Sequence, residues 1–405
     1  MSDRRVVVTG IGCLSALGAD RESVWQGLIE GRSGIGALTL FDAAGYRSAL
    51  AAEVADYQPE VHFTPLERRR LSRCDQIAVL AAGEALADAG LRDAGIDPDR
   101  VGIVFGAGTS DLFRNETYLA ELRAHGLERA RPSSVLNFFS NTPLDAVGDR
   151  FGIEGPRQCI VAACSSSTIA IGHASDAIRD RTVDVALAGG ADVLCRLTFS
   201  GFNALRLVDT QPCRPFDKAR AGMTIGEAAA VLVLEDFDRA RRRGATIYAE
   251  VLGHGVRCEA YHPTSPEPEG RALGATIDAA LASARIPADE VGHVNAHGTG
   301  TPQNDRAEAR ALVRVFGDRA RKMPVNSIKA MVGHCLGAAG AIEAAALALT
   351  IARGIVPPTI NHTETDPEVG LDVVPNEARE VAVRCGISTS LAFGGNDSAL
   401  VMRAV

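Results

Sequence analysis

The chain of 405 residues is 46% hydrophobic, with 41 glycines, five tyrosines and one tryptophan. That composition excludes a disordered or fibrous chain and suits an α/β fold with many tight turns, long enough for two or three domains. A net charge of −8 argues against non-specific nucleic-acid binding, and nine scattered cysteines with no CxxC pair and no zinc-like Cys/His spacing fit a reducing compartment and no bound metal.

Taken in order, Val6-Val7-Val8 followed by Thr9-Gly10-Ile11-Gly12 reads as a short buried strand and a glycine turn. Arg4 and Arg5 before three valines are too little for a signal peptide, so the chain reads as cytoplasmic. Residues 22–30 read as a helix closed by Gly31. Thr64-Pro65-Leu66-Glu67 combines an N-cap, a proline at the first helical position and a capping box, predicting one helix from 64 to 89 stopped by Gly90. Arg68, Arg69, Arg70 and Arg73 crowd its first turns, where cations oppose the helix dipole. They are either a solvated face or a face compensated by a partner. Residues 101–105 form a buried strand. Residues 108–143 read as an irregular polar insertion, with Phe138-Phe139 suited to a cap and part of a dimer surface.

The run Gln158-Cys159-Ile160-Val161-Ala162-Ala163 ends at Cys164, and Ser165-Ser166-Ser167-Thr168 opens a helix to about Arg181. A cysteine on such a strand–turn–helix junction faces the helix N-terminus, which favours the nucleophilic thiolate. A buried structural cysteine is the plainer alternative. Strands at 183–188 and 228–234 close the first half, the former implying a parallel crossover, and 238–244 makes a basic connector. The second half repeats the theme: strands at 248–252, 293–296 and 325–328, helices at 270–285, 305–316 and 338–353, and a terminal hairpin of 386–390 with 398–402. The apolar stretch 336–352 contains Glu343 and falls short of the ~20 residues of a membrane span, so it reads as a core helix. The expected architecture is therefore two similar α/β halves, residues 1–245 and 246–405, without detectable residue identity between them.

Three glycine-rich turns at strand ends carry chemically useful groups: His297-Gly298-Thr299-Gly300-Thr301, Lys329 to His334, and Leu391-Ala392-Phe393-Gly394-Gly395. With Cys164 they supply a nucleophile, two imidazoles, an ammonium and free backbone N–H groups.

Together with Gly10-Ile11-Gly12, Arg214-Pro215-Phe216-Asp217, Glu259-Ala260-Tyr261-His262 and the 333–340 turn, these blocks resemble the elongating β-ketoacyl-acyl-carrier-protein synthases of the thiolase superfamily. The resemblance implies the thiolase-like αβαβα layered fold and a decarboxylative Claisen condensation on substrates carried by the phosphopantetheine of an acyl carrier protein, with no cofactor on the chain itself. It implies that Cys164 takes the acyl chain, that His297 and His334 donate through Nε2 to the enolate oxygen, and that Lys329 and Glu343 support them electrostatically. Backbone N–H groups of Cys164 and Phe393 would form a second oxyanion hole. Thr299 and Thr301 would bind the phosphopantetheine arm, and Phe393 would gate the cysteine, with Leu391, Ala392 and Gly394 beside the substrate. Arg206 matches a docking arginine, and with Arg68, Arg69, Arg70 and Arg73 it is expected to meet the acidic carrier. The family is dimeric, so a homodimer or a heterodimer with a silent paralogue is expected, without membrane or nucleic-acid partners. Where the family has Ser-Phe-Gly-Phe-Gly-Gly-Thr-Asn, this chain has Ser390-Leu391-Ala392-Phe393-Gly394-Gly395-Asn396-Asp397, and Ala392 for glycine, Gly226-Glu227-Ala228-Ala229 for a more glycine-rich turn and Ser165-Ser166-Ser167 after the cysteine point to a specialised type II polyketide or polyene pathway. The alternative is a non-catalytic subunit like the chain-length factors, which lack the cysteine. A Cys–His thioesterase or amidase fits less well, for want of an orienting carboxylate.

Overall fold

A computed structural model describes residues 4–91, 96–110, 112–129 and 138–405. Among these residues ten strands share one mixed sheet: β1 (Val6–Leu14), β2 (Val101–Gly106), β3 (Arg157–Ile160), β4 (Val185–Asp192), β5 (Ala228–Asp236), β6 (Ala249–Cys258), β7 (His293–Asn295), β8 (Val325–Asn326), β9 (Cys385–Ser390) and β10 (Asn396–Arg403). Their order is β8-β7-β9-β10-β6-β1-β5-β4-β2-β3. Outward from the centre, β1-β5-β4-β2-β3 is answered by β6-β10-β9-β7-β8, each strand by the one five places later. Directions agree as well. The two inner pairings of each half are antiparallel and the two outer ones parallel. The halves join where Val6, Val7 and Val8 of β1 pair with Val251, Glu250 and Ala249 of β6.

The helices used below are α1 (Arg21–Ile29), α2 (Pro65–Arg70), α3 (Arg73–Asp88), α4 (Leu112–His125), α5 (Thr142–Phe151), α6 (Ser166–Arg179), α7 (Arg196–Ala204), α8 (Phe237–Arg242), α9 (Arg271–Ala284), α10 (Pro302–Phe316) and α11 (Ala339–Arg353). Helix α3, with α5 packed beside it, covers the outside of one half of the sheet, and α9 with α10 the outside of the other. Helices α6 and α11 lie against each other and touch strands of both halves. The result is the expected αβαβα layering. Apolar on all sides, α11 is the buried middle layer. The segment Leu336–Arg353 is long and apolar enough to cross a membrane by length and composition, and 89% of it is buried inside the fold. The two central helices cross closely at Gly340, where an added Cβ would collide with Thr168 Oγ1.

Three expectations need correction. The single helix expected over 64–89 is two helices, because the sequence holds two capping boxes. Thr64 with Glu67 starts α2, and Ser72 with Asp75 starts α3, with Leu71 extended between them. Arg68, Arg69 and Arg70 consequently lie in the last turn of a short helix, where cations suit the dipole, so the electrostatic conflict expected at this point does not exist. The Arg114 guanidinium donates to the carbonyls of Arg69, Arg70 and Leu71 at 3.0–3.1 Å and satisfies that helix end. Second, much of the insertion expected to be irregular is helical, as α4 and the start of α5. Residues 111 and 130–137 of it lie outside the described residues, while Phe138 and Phe139 are exposed. Third, the basic connector at 238–244 is largely α8, and two of its arginines, Arg239 and Arg243, turn inward to the buried Glu235.

Candidate active site

Strand β3 ends at Ile160, and the chain turns through Ala163 at φ +49° into a single 3-10 turn holding Cys164, just ahead of α6. The other half makes the same move: Leu336 at φ +52° opens a 3-10 turn that runs into α11. A non-glycine residue in this left-handed region is strained, and the surrounding packing must hold it there. Ser165 fixes the turn to the chain beyond β9, its hydroxyl donating to the carbonyls of Ser390 and Asn396. The Phe393 N–H points at the Cys164 sulfur.

His297 leaves the end of β7 with its backbone N–H donating to Glu308 Oε1 at 2.8 Å, and the Gly298 N–H donates to Glu308 Oε2 at 2.8 Å. Thr389 Oγ1 donates to the same carboxylate at 2.7 Å. A buried acid on α10 therefore sets the imidazole's position. His334 reaches in from the other side, its Nε2 3.0 Å from Cys164 Sγ and its ring 5.3 Å from that of His297 in an edge-on arrangement. Lys329 Nζ is 3.4 Å from His297 Nδ1 and forms a buried ion pair with Glu343.

Burial, reinforced by Lys329, holds both imidazoles well below the usual histidine range, so they are neutral. Lys329 donates to His297 Nδ1, which leaves the ring proton on Nε2. Nδ1 of His334 has no partner among the described residues. An unmet acceptor is more tolerable than an orphaned N–H, so this ring also keeps its proton on Nε2, facing the sulfur. Burial raises the Glu343 carboxyl, with Lys329 opposing it.

The expected thiolate is not the resting state. Burial pushes the Cys164 thiol up to about 12, against the opposing pull of Lys329 and the Phe393 N–H. With the thiol raised in this way, deprotonation accompanies attack. The cleft over the sulfur is small, about 60 Å³. Thr299 and Thr301 line it with their hydroxyls 2.9 Å apart, as do Leu391, Ala392 and Phe393. The Phe393 ring stacks on Phe202 at 5.5 Å. Gly394 is exposed at the edge of the same segment.

The five arginines separate. Arg68, Arg69 and Arg70 are exposed, Arg69 and Arg70 lining a groove of about 930 Å³ between α2, α4 and α5. Arg206 is exposed beside Leu207, which lines the cleft over Cys164, and its carbonyl accepts from Arg47. Arg73 lines the same groove but differs from them: it is half-buried, and its Nε lies 3.2 Å from both oxygens of the fully buried Glu227.

Sequence reasoning missed Glu308 and Asp192. Asp192, at the end of β4, accepts the N–H groups of Gly108, Thr109, Ser110 and Gly337 at 2.6–3.0 Å, tying together loops from the two halves. Burial moves it up to about 6 against those donors. The signal for Glu308 was present: Asn304, Asp305 and Glu308 share the helix face of Ala311 and Leu312, and polar groups on a core-facing stripe need a task.

A mixed sheet of two matching halves, with a cysteine and two histidines converging at their junction, defines a thiolase-like condensing enzyme. The family model described as "Beta-ketoacyl synthase, N-terminal domain" matches residues 3–240, and "Beta-ketoacyl synthase, C-terminal domain" matches residues 248–363. The chain belongs to the β-ketoacyl synthase family. It is 40% identical to the tetracenomycin polyketide synthase ketoacyl synthase alpha subunit of Streptomyces glaucescens, covering 99% of this chain and 97% of that protein. With 3-oxoacyl-[acyl-carrier-protein] synthase 2 of Coxiella burnetii it shares 38% identity over the whole of both chains. Among solved structures, the ishigamide ketosynthase/chain length factor superimposes with a TM-score of 0.95 at 38% identity over 100% of both chains. A type II polyketide synthase ketosynthase, solved with its acyl-carrier protein and bound to the hexaketide, gives 0.93 at 32% identity, again over 100% of both chains.

Proposed function

We propose that this chain is the catalytic β-ketoacyl-acyl-carrier-protein synthase of a chain-elongating pathway, acting on acyl and malonyl groups carried by an acyl carrier protein. The observation that carries the reading is the convergence of Cys164, His297 and His334 in one buried cleft, which a non-catalytic subunit would not need. In the first half-reaction Cys164 attacks the acyl thioester. The developing oxyanion sits on the N–H groups of Cys164 and Phe393, and the thiol proton ends on the departing phosphopantetheine sulfur. Next, malonyl-carrier enters past Thr299 and Thr301 and loses CO2. Its thioester oxygen takes the enolate charge between the Nε2–H groups of His297 and His334, preorganised donors in a water-poor site. The enolate carbon then attacks the acyl-Cys164 carbonyl, and collapse releases the cysteine and the β-ketoacyl-carrier. Lys329 and Glu343 hold His297 in its tautomer.

Ala392, the 226–229 turn and the serines after Cys164 favour a specialised type II polyketide or polyene pathway over housekeeping elongation. Exposed Phe138 and Phe139 support a dimer, with a second copy or a silent paralogue as partner. Nine free cysteines fit a cytoplasmic setting. Intact-mass measurement after incubation with acyl-carrier protein tests the assignment. Wild type should gain the acyl mass on Cys164, and Cys164→Ala should gain none while still releasing CO2 from malonyl-carrier. An adduct that survives in Cys164→Ala would place the nucleophile elsewhere.

A further inference from the structure

Asp397 opens β10 directly after the segment that carries Phe393, and it is 1% exposed. Among the described residues, neither of its carboxylate oxygens has a hydrogen-bond partner. What it meets instead is another acid, Glu259, on the loop that follows β6. Two carboxylates cannot hydrogen-bond to each other, whereas an acid and a carboxylate can. The pair therefore has a bond only when one proton is present. Glu259 is already tied down, with Oε2 accepting the Glu267 N–H at 3.0 Å, which leaves Asp397 as the donor.

The position of this bond gives it a consequence. Backbone contacts run alongside it: Glu259 N–H to the Gly395 carbonyl at 2.8 Å, and Gly394 N–H to the Pro263 carbonyl at 2.8 Å. Gly395 packs so closely on Glu259 that an added Cβ would lie 3.0 Å from the Glu259 Cβ. The 391–396 segment, including Phe393 over the sulfur, is thus fastened to the 258–267 loop along one short seam, which also holds the Cys258 thiol donating to the Gly394 carbonyl at 3.7 Å, and the acid pair is a titratable stitch in it.

We propose that Asp397 is a positioning residue that works as the protonated acid, donating to Glu259 and latching the Phe393 segment closed over Cys164. The inference rests on the reading of Cys164 as the acyl-accepting residue. Where the resembling family has asparagine, the amide would donate at any pH, so in this chain the latch has become proton-dependent.

The groups around Asp397 favour the proton. Glu259 and Glu308 face it, Glu267 stands behind Glu259, and the His262 ring nitrogen Nδ1 accepts the N–H groups of Thr264 and Ser265. Arg257 lies opposite in the sheet register, but its Nε donates to the Ala275 carbonyl. Burial, with these acids, moves Asp397 up to about 9. A raised folded-state value means the bond is present at neutral pH and is lost as pH rises through about 9.

The test compares labelling rates of Cys164 by a long-chain alkyl maleimide and by iodoacetamide, with the modified residue identified by mass spectrometry. Both reagents need the thiolate, so their ratio cancels its ionisation and reports access past Phe393. In wild type the ratio should rise about fivefold or more as pH passes through the Asp397 transition, and in Asp397→Asn it should stay flat. Glu259→Gln supplies an amide donor to ionised Asp397 and removes the neighbouring charge, so the rise should move to lower pH or vanish. That variant decides the matter if Asp397→Asn fails to fold. A ratio that is flat in wild type, or a rise that persists unchanged in Asp397→Asn, overturns the latch. Labelling needs no condensation, so failure to condense with the ratio change intact would count against the proposed function alone.

Discussion

Lys329 Nζ stands 3.4 Å from His297 Nδ1, held there by its ion pair with Glu343, and so one buried ammonium decides which nitrogen of a catalytic ring carries the proton. The arrangement also keeps that ring neutral, since a second cation beside Lys329 is unfavourable in a buried site. Lys329→Met should therefore damage the step that uses Nε2–H and spare the one that does not. Acyl loading of Cys164 should persist, while CO2 release falls toward the roughly 10²–10³-fold loss of a missing oxyanion donor. Wild-type CO2 release should stay level as pH drops through the ordinary histidine range, because a lowered His297 remains neutral there. In Lys329→Met the decline should begin at higher pH. Equal loss of loading and decarboxylation would mean that Lys329 acts only through folding.

Glu308 accepts three donors with two oxygens, all buried. Glu308→Gln keeps the size but offers one acceptor oxygen and a competing NH2. At least one backbone N–H then goes unmet, at a cost of about 1–3 kcal/mol. The melting temperature should fall, and CO2 release should drop further than acyl loading because the displaced group is His297. Unchanged melting with unchanged decarboxylation would remove Glu308 from the positioning role.

The arginines divide into a testable contrast. Charge reversal at Arg68, Arg69, Arg70 or Arg206 should raise KM for the carrier protein with kcat little altered, most strongly at low salt, since exposed charges steer encounter. Arg73→Glu should instead lower stability by about 3–5 kcal/mol or prevent folding, because it leaves the buried Glu227 facing a like charge. Thermal melting sorts the two classes before any assay. A stable, well-folded Arg73→Glu with a raised KM would return Arg73 to the docking face.

Much of this site was legible in the residues. Cys164 at the end of an apolar run, and histidines at strand ends among glycines, are local patterns that the backbone had to honour. The match between the two halves was legible only as a repeated rhythm of strands and helices, since strand order and direction come from pairings far apart in sequence. The break at Leu71 could have been read, because Ser72-Arg73-Cys74-Asp75 is itself a capping box, but a continuous helical pattern on either side masked it. The thiol's resting state could not be read from the turn. It depends on how much water the assembled fold removes, and burial raises the thiol here.

Ala392 stands in the gating segment where the resembling family has glycine. Its backbone is extended, at φ −131° and ψ 153°, so alanine sits there without strain and what it restricts is movement. Restriction matters because the cleft holds only about 60 Å³. An acyl chain on Cys164 must therefore displace something, and the Phe393 ring, stacked on Phe202 at 5.5 Å, is a wall of the cleft carried on a short loop. Glycine at 392 would widen the backbone conformations open to that loop, at a cost in stability of about 0.5–1 kcal/mol. Ala392→Gly should load longer and bulkier acyl groups onto Cys164 than wild type does, with short-chain loading nearly unchanged and the melting temperature slightly lower. Intact-mass profiles across a panel of acyl-carriers read this directly. If the two profiles coincide from the shortest chain to the longest, residue 392 does not govern the gate, and selectivity lies in Phe202 and the residues beyond it.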